Sequence, residues 1–498
     1  MDRKLQVALI RGPIVMGAGS VNNEATPAIG FAYIMGYLKH HGYQPVMIDA
    51  IGEGLNRFWS LDERPGYQCQ GLKFEEIIQR IPKNSDVIGF SGMFSGEWPV
   101  LRRLINEVRK QFPKALFVAG GEHVTALTAY ILKDCRALDI CIRGEGEHTF
   151  YTLLELFSKS EDYLNVAGTA YLDSSSVYRQ IDSEFSNNKL PRLLKDNAIP
   201  WPYWPEGYLE KFWSKGKSYG IATGRDMPFM LSRGCPFQCT FCSNQRMWGN
   251  RYVLRNIDDV IEEIKFYIIK YRITGIQLYD LTAITKKKWT LAFFNRLLAE
   301  KIDLKWSFPS GTRSEVLDEE ILLLLSKVGC KYLVYAPESG SHKTLKEIKK
   351  RVDLEKLTRS ALIAKKLGMN TRINLIIGFP HETWNEIFET IWYGLKMSFK
   401  GIDDVPLFIF SPYPGTQIFN DLYNSNQLKL NDDYFFSLTS LNGSYTNSSK
   451  IISTTPNLNS KLLGIVRTCF IFLNYGIGYL FFPSRIFKTL SLLILKQK

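Results

Sequence analysis

The sequence predicts an α/β chain. A doubly wound, Rossmann-like parallel sheet comes first, a partial (β/α)6 TIM-type barrel follows, and a small, mostly helical region closes the chain. Three observations predict this. Residues 1–155 alternate short apolar runs with long helix-bearing connections, the pattern of a parallel sheet covered on both faces. Residues 227–425 repeat strand and helix again, as a partial barrel does. Residues 434–498 contain no Asp or Glu and are rich in aliphatic and aromatic side chains. At 498 residues the chain has room for about three domains. The divisions read from it are 1–155, a linker 156–226, a core 227–425 and a C-terminal region 426–498.

In the first domain the run 5–10 is a buried strand, followed by a loop carrying Gly12, Gly17 and Gly19. A helix starts near Pro27, places Ile29, Tyr33, Ile34, Tyr37 and Leu38 on one stripe, and ends at Gly42. Strands follow at 46–49, 86–90, 115–119 and 138–142. Ligands of such sheets bind beyond the carboxyl ends of the strands, and the unusual residues stand there. They are Ser91-Gly92, then Gly120-Gly121-Glu122-His123, then Gly144-Glu145-Gly146-Glu147. Paired glycines let a broad, flat ligand approach the backbone. None of these loops fits G-x-G-x-x-G or a P-loop. His40 and His41 end the first helix, where cations are favoured, and read as surface residues; His123 reads as a structural loop residue.

In the linker, 171–176 is a hairpin turn. Pro200-Trp201-Pro202-Tyr203-Trp204-Pro205 is an extended connector whose aromatics form a hydrophobic strap. The core opens on a strand at 227–230. Its further strands are 275–280, 305–308, 332–335, 370–377 and 405–410, with helices at 257–269, 318–328, 354–367 and 384–397. Barrel sites lie at the strand carboxyl ends.

Between the first core strand and its helix, Cys235, Cys239 and Cys242 follow a C-x3-C-x2-C spacing. Structural zinc wants four ligands, usually two pairs, and no second pair exists here. A disulfide would leave one thiol over. Thiolates are the usual ligands of iron–sulfur clusters. The other five cysteines, Cys69, Cys135, Cys141, Cys330 and Cys469, stand singly, as buried thiols of a reducing compartment do. The N-terminus shows no secretory signal, and the cytoplasm is the default. Of the net charge of +13, seven basic residues fall in 434–498, and no nucleic-acid partner is read from this distribution.

Gly234-Cys235-Pro236, the cysteine spacing and Phe241 beside the third cysteine resemble the radical S-adenosylmethionine (SAM) superfamily. The resemblance implies a 4Fe–4S cluster on Cys235, Cys239 and Cys242. Its open iron would chelate the amine and carboxylate of SAM, and an electron from the cluster would release a 5′-deoxyadenosyl radical. Ala336-Pro337-Glu338-Ser339-Gly340-Ser341 resembles the family's Glu-Ser-Gly loop, where Glu338 would accept bonds from the SAM ribose. Gly378-Phe379-Pro380-His381-Glu382-Thr383 resembles its Gly-x-Pro-x-Glu-Thr turn beside the adenine, with His381 where glycine is common. Arg372 is a candidate partner for the SAM carboxylate, and Asp280 stands where the usual acidic pattern is altered. Residues 408–416 resemble the end of this core.

The loops bearing Ser91, Gly92, Gly120, Gly121, Gly144 and Glu145 resemble the cobalamin-binding domain that precedes many radical SAM cores. One departure is clear. The loop Arg11-Gly12-Pro13-Ile14-Val15-Met16-Gly17 lacks the histidine that ligates cobalt in many cobalamin proteins, which implies base-off cobalamin without histidine. The likeness covers residues 5–155 and 227–420.

The resemblance implies a methyltransferase acting on an unactivated carbon of a biosynthetic substrate, using the cluster, SAM and cobalamin. Its partners would be a small-molecule, hydrophobic or lipid-like substrate and an electron donor such as flavodoxin or ferredoxin. An alternative with the same cofactors is a non-methylating oxidative cyclase or rearrangement enzyme; another is a cobalamin- or redox-sensing module. The apolar run 462–482 is nearly long enough to span a bilayer, and 486–495 is apolar again. Arg467 and Asn474 interrupt the first run. Three readings follow for 460–498: a helical cap on the barrel, an interfacial anchor at the inner face of the membrane, which the basic charge suits, or a true span.

Overall fold

The structure is a computed structural model and describes residues 4–18, 20, 25–182, 199–313, 315–439, 458–483 and 485–486. Gly19 of the glycine-bearing loop and residues 487–495 of the second apolar run lie outside the described residues. The chain divides into two compact units that do not follow its linear order. One comprises Met1–Tyr219, Ser232–Tyr267 and Pro412–Gly443; the other comprises Gly220–Leu231, Ile268–Ser411 and Ser444–Lys498. The cysteine loop, expected to belong with the barrel, is thus grouped with the N-terminal sheet.

The first unit is built on strands β1 (Val7–Arg11), β2 (Ile14–Gly17), β3 (Val46–Asp49), β4 (Phe58–Ser60), β5 (Tyr67–Gln70), β6 (Val87–Ser91), β7 (Leu116–Gly120), β8 (Ile140–Ile142), β9 (Thr169–Leu172) and β10 (Tyr178–Gln180). The main sheet runs β10-β9-β8-β7-β6-β1-β3. Its five strands from β3 to β8 are parallel, and β9 and β10 add an antiparallel hairpin at one edge. Both faces are buried, which explains the unbroken apolar runs: Ala8 and Ile10 enter one core, Val7 and Leu9 the other. Strand order reverses between β1 and β6. Ser91-Gly92 therefore stands at the topological switch point, where doubly wound sheets open a crevice.

One local expectation changes. The glycine-bearing loop after β1 contains a strand, β2, which joins β5 and β4 in a small antiparallel sheet. The connector at 200–205 is irregular, as expected, and its aromatics pack inward. Trp204 is buried, the Tyr203 amide donates to the Ala32 carbonyl (2.9 Å), and Trp201 Nε1 donates to Asp259 Oδ1 (2.8 Å).

The chain enters the second unit at Gly220 and runs into β11 (Asp226–Phe229). It returns to the first for the cysteine loop, framed by the ribbon of β12 (Ser232–Arg233) and β13 (Val253–Leu254). Back in the second unit, β14 (Gly275–Leu278), β15 (Lys305–Thr312), β16 (Cys330–Glu338), β17 (Asn370–Ile377) and β18 (Leu407–Ile409) follow. These join β11 in a six-stranded parallel sheet in chain order, the predicted partial barrel. Three of its helices start on side-chain caps. Asp318 accepts from the Ile321 amide, Asp353 from the Glu355 and Lys356 amides, and Thr383 forms a capping box with Glu386.

The C-terminal helix, Ser460–Phe481, packs on the barrel helix Trp384–Phe399 and on β18. The fit is close: a Cβ at Gly394 would meet the Phe470 ring at 2.8 Å. By length and composition, this helix is one that could cross a membrane.

Candidate functional site

The cysteine loop lies between β12 and the short helix Asn244–Trp248. Cys239 is buried, and Cys235 and Cys242 are half-buried; all eight cysteines are thiols rather than disulfides. The Cys242 amide donates to the Cys239 carbonyl (3.2 Å), and Asn244 Nδ2 donates to the Cys235 carbonyl (3.3 Å), so the loop folds back on itself. Burial pushes the Cys242 thiol up to about 12, and the neighbouring Cys239, Glu122 and Cys235 push the same way. Thiolates gathered there need a positive centre to offset burial and mutual repulsion, which an iron–sulfur core supplies. Among the described residues no three His, Cys, Asp or Glu side chains gather closely enough to hold a single metal ion. A cube takes wider spacing, because its cysteines ligate different irons. The donor set fits a cluster.

Two contacts tie this loop to the strand ends of the first sheet. Arg233 donates from Nη1 to Glu145 Oε1 (3.1 Å) and from Nη2 to Glu147 Oε1 (2.7 Å). The three side chains are 11%, 3% and 7% exposed. Burial works against the Arg233 charge, but Glu147 and Glu145 more than offset it, and its affinity for the proton rises. The Ser243 hydroxyl donates to Glu122, whose carboxyl burial pushes up.

The glycines at these ends have two explanations in the structure. Gly121 adopts φ +118°, and a Cβ there would lie 2.6 Å from the Gly92 carbonyl; a Cβ on Gly92 would lie 2.6 Å from Val124 Cγ2. Those two positions are therefore glycine so that the loops can pack on each other. Gly144 also has positive φ (+75°), and its amide is held by Thr125 Oγ1 (3.0 Å). Around Gly120 a Cβ would meet nothing nearer than 3.7 Å. Beyond Gly92, Met93 and Phe94 are 43% and 58% exposed, an open apolar platform at the switch point. Such a platform fits the face of a broad macrocycle. His123 does not face it openly. It is 1% exposed, bonds Ser95 Oγ through Nδ1 (2.9 Å) and lies against Trp98 and Phe435, and burial lowers its pKa to about 3.

In the second unit, Glu338 ends β16 with φ +73°, a left-handed conformation that costs a non-glycine residue energy and recurs at functional sites. Lys350 Nζ donates to Glu338 Oε1 (2.9 Å), and Ser339 Oγ bonds Thr390 Oγ1 (2.8 Å). After β17, Gly378 turns at φ +88°. Its amide and that of Phe379 both donate to Glu382 Oε2 (2.6 and 3.0 Å), and burial pushes the Glu382 carboxyl up to about 7. His381 keeps negative φ and stacks on Phe379 (5.9 Å). Thr282 Oγ1 and Ser341 Oγ, just after β14 and β16, are buried without a protein partner, as groups awaiting a polar ligand are. Asp280 holds the Leu231 amide (3.1 and 3.0 Å), tying the end of β14 to β11.

Glu338, Ser339 and Gly378 thus stand at the ends of neighbouring strands. Arg372 does not join them. It sits in the amino-terminal half of β17, bonded to Asn374 Oδ1 (2.8 Å) and paired with Asp404 (3.5 Å). Sequence reading missed Arg233, Lys350 and Glu382 as supports. Lys350 lies in a run of basic residues that reads as a solvated face, and a single sequence gives no sign of its partner. Glu382 had a legible signal, a carboxylate placed to accept the amides of its own turn.

A family model described as the radical SAM superfamily matches residues 229–391, and one described as the B12 binding domain matches residues 18–154. An uncharacterized methyltransferase of Pyrococcus horikoshii is 27% identical over 428 residues, 85% of this chain and 84% of that protein. The cytidylyl-2-hydroxyethylphosphonate methyltransferase of Streptomyces wedmorensis is 27% identical over 420 residues, 80% of this chain and 78% of that protein. Among solved structures, the radical S-adenosylmethionine methyltransferase TsrM of Kitasatospora setae, with tryptophan and a SAM analogue bound, aligns with a TM-score of 0.64. It does so at 13% identity, over 85% of this chain and 76% of its own, a likeness of fold.

Proposed function

We propose that this chain, which belongs to the cobalamin-dependent radical SAM enzymes and is a methyltransferase of that family, methylates an unactivated carbon of a hydrophobic small molecule. The observation that carries the reading is the pairing of Arg233 with Glu145 and Glu147, by which the cysteine loop and a strand-end loop of the B12 domain close on each other within one compact unit. Bound together, a 4Fe–4S cluster, SAM and cobalamin supply an electron, a hydrogen-abstracting adenosyl fragment and a methyl carrier.

The chain's own residues bind and orient. Cys235, Cys239 and Cys242 would hold the cluster, with Phe241 beside SAM. Glu338, pinned by Lys350, keeps its other oxygen, Oε2, for the SAM ribose, and Ser339 braces its loop. Glu382 fixes the Gly378 turn for the adenine. Arg372 as a partner of the SAM carboxylate rests on resemblance alone. Ser91, Gly92, Gly120, Gly121, Gly144 and Glu145 would border cobalamin. The working division stays 1–155, 156–226, 227–425 and 426–498, with the cysteine loop folded onto the first part. A flavodoxin- or ferredoxin-type protein would deliver electrons, and residues 460–498 would contact a membrane at its cytoplasmic face.

Two measurements test this. Reduced, reconstituted protein given its substrate should yield methylated product together with 5′-deoxyadenosine and S-adenosylhomocysteine. Deoxyadenosine without S-adenosylhomocysteine would instead mark the non-methylating cyclase, and neither product would end the reading. Separately, the loop Arg11–Gly17 offers no histidine and His123 is enclosed by Trp98 and Phe435, so cobalamin held base-off, as the resemblance implies, should give Co(II) electron paramagnetic resonance lines without nitrogen splitting. A nitrogen-split signal would overturn that ligation.

A further inference from the structure

The C-terminal helix Ser460–Phe481 is inverted in polarity for a soluble cap. Two polar residues in its middle face the protein: Arg467 and Asn474 are only 7% and 8% exposed. Arg467 Nε donates to the Leu407 carbonyl (3.0 Å), and the Ser398 hydroxyl donates to Asn474 Oδ1. Its outward residues are apolar, with Ile465, Phe472, Leu473 and Leu480 at 54%, 74%, 54% and 80% exposure. A helix that hides its polar groups and shows its aliphatic ones is matched to lipid rather than water.

The neighbouring helix Trp384–Phe399 repeats the pattern. Phe388, Trp392 and Phe399 are 57%, 69% and 49% exposed and fall on one stripe of it. The two stripes join where the Phe399 and Phe481 rings meet at 5.2 Å. Charge agrees. Residues 434–498 hold seven Lys and Arg and no acid. Lys461 is exposed on the C-terminal helix, and Lys396 and Lys400 are exposed at the end of its neighbour; Glu389 is the exposed acid among the described residues of the pair.

We infer that the outer face of these two helices seats in the plane of an anionic lipid bilayer, with Phe388, Trp392, Phe472 and Leu480 entering the headgroup boundary. The C-terminal helix lies on the membrane and does not cross it, because its inner face is committed to β18 and to the helix Trp384–Phe399. The inference rests on the membrane contact proposed for 460–498 and deepens it, by enlisting a barrel helix and by naming the side chains that enter. It is independent of the chemistry at the strand ends.

The experiment is sedimentation of the full chain with vesicles of phosphatidylcholine alone and of phosphatidylcholine with phosphatidylglycerol. Wild-type protein should bind the anionic vesicles at least about tenfold more tightly, with salt weakening the difference. The triple variant Trp392→Ser, Phe472→Ser, Leu480→Ser changes only exposed positions and should keep its melting temperature. It should bind the anionic vesicles about tenfold or more less tightly. If the triple variant unfolds, the pair Phe388→Ser, Trp392→Ser leaves the C-terminal helix whole and should weaken binding in the same direction. Undiminished binding by the folded variants would overturn the inference while leaving contact through the rest of 460–498. Wild-type protein that binds neither vesicle would overturn both. Self-association of the wild type that the variants abolish, without vesicle binding, would assign the face to a second copy and overturn the inference as well.

Discussion

Replacing Cys239 by alanine is expected to drop SAM cleavage to background, at least about a thousandfold. The cluster carries the electron chemistry, and an enzyme's whole acceleration is commonly about a millionfold or more. Cys239 is the buried member of the three, and its carbonyl also receives the Cys242 amide. The backbone bond survives the substitution, so the loop should keep its path while losing one of the three proposed iron ligands. The reconstituted variant should therefore lack iron and the visible absorption of the cluster, yet melt near the wild type and still bind cobalamin. Cys469→Ala, at an exposed position of the C-terminal helix, serves as control and should retain all activities. A variant that keeps both iron and SAM cleavage would remove Cys239 from the site. A wild-type protein that binds cobalamin but never cleaves SAM would favour the sensing module.

Much of the fold is legible in the sequence, for a physical reason. Parallel strands are buried on both faces, so β1, β6 and β7 stand out as apolar runs, and the structure places them at Val7–Arg11, Val87–Ser91 and Leu116–Gly120, close to the limits read. The small sheet of β2, β4 and β5 is not legible. Its strands Phe58–Ser60 and Tyr67–Gln70 are short, with polar residues on one face, and gain their order only from non-local pairing. The cysteines declared themselves by spacing. What supports them did not, because the bond of Arg233 to Glu145 and Glu147 spans 88 and 86 residues and leaves no mark on either local stretch. Glycines carry two signals at once. Gly92 and Gly121 invite a ligand reading, and each is also required by the other loop's backbone or side chains. The strained Glu338 is invisible in sequence, since only its surroundings hold a non-glycine residue at φ +73°. In the C-terminal helix the apolar run is plain, but which face meets protein is decided by Arg467 and Asn474.

Arg233→Met is expected to destabilise the folded chain by about 3–5 kcal/mol, the usual cost of removing one partner from a buried ion pair. Here one guanidinium serves two carboxylates, and the three side chains are 11%, 3% and 7% exposed, so solvent cannot replace it. Arg233→Lys should recover only part of the loss, because an ammonium lacks the planar fork that reaches both acids. The carboxylates left behind identify the cause, because two buried charges without their cation are costly. A triple variant, Arg233→Met with Glu145→Gln and Glu147→Gln, removes the uncompensated charges and should recover much of the stability at pH 8. The loss should also reach both cofactor loops: at neutral pH, Arg233→Met should take up less iron and less cobalamin than the wild type, whereas Cys239→Ala should lose iron alone. If Arg233→Met melts like the wild type, or if the triple variant melts no higher than Arg233→Met, the pairing does not hold the two loops together.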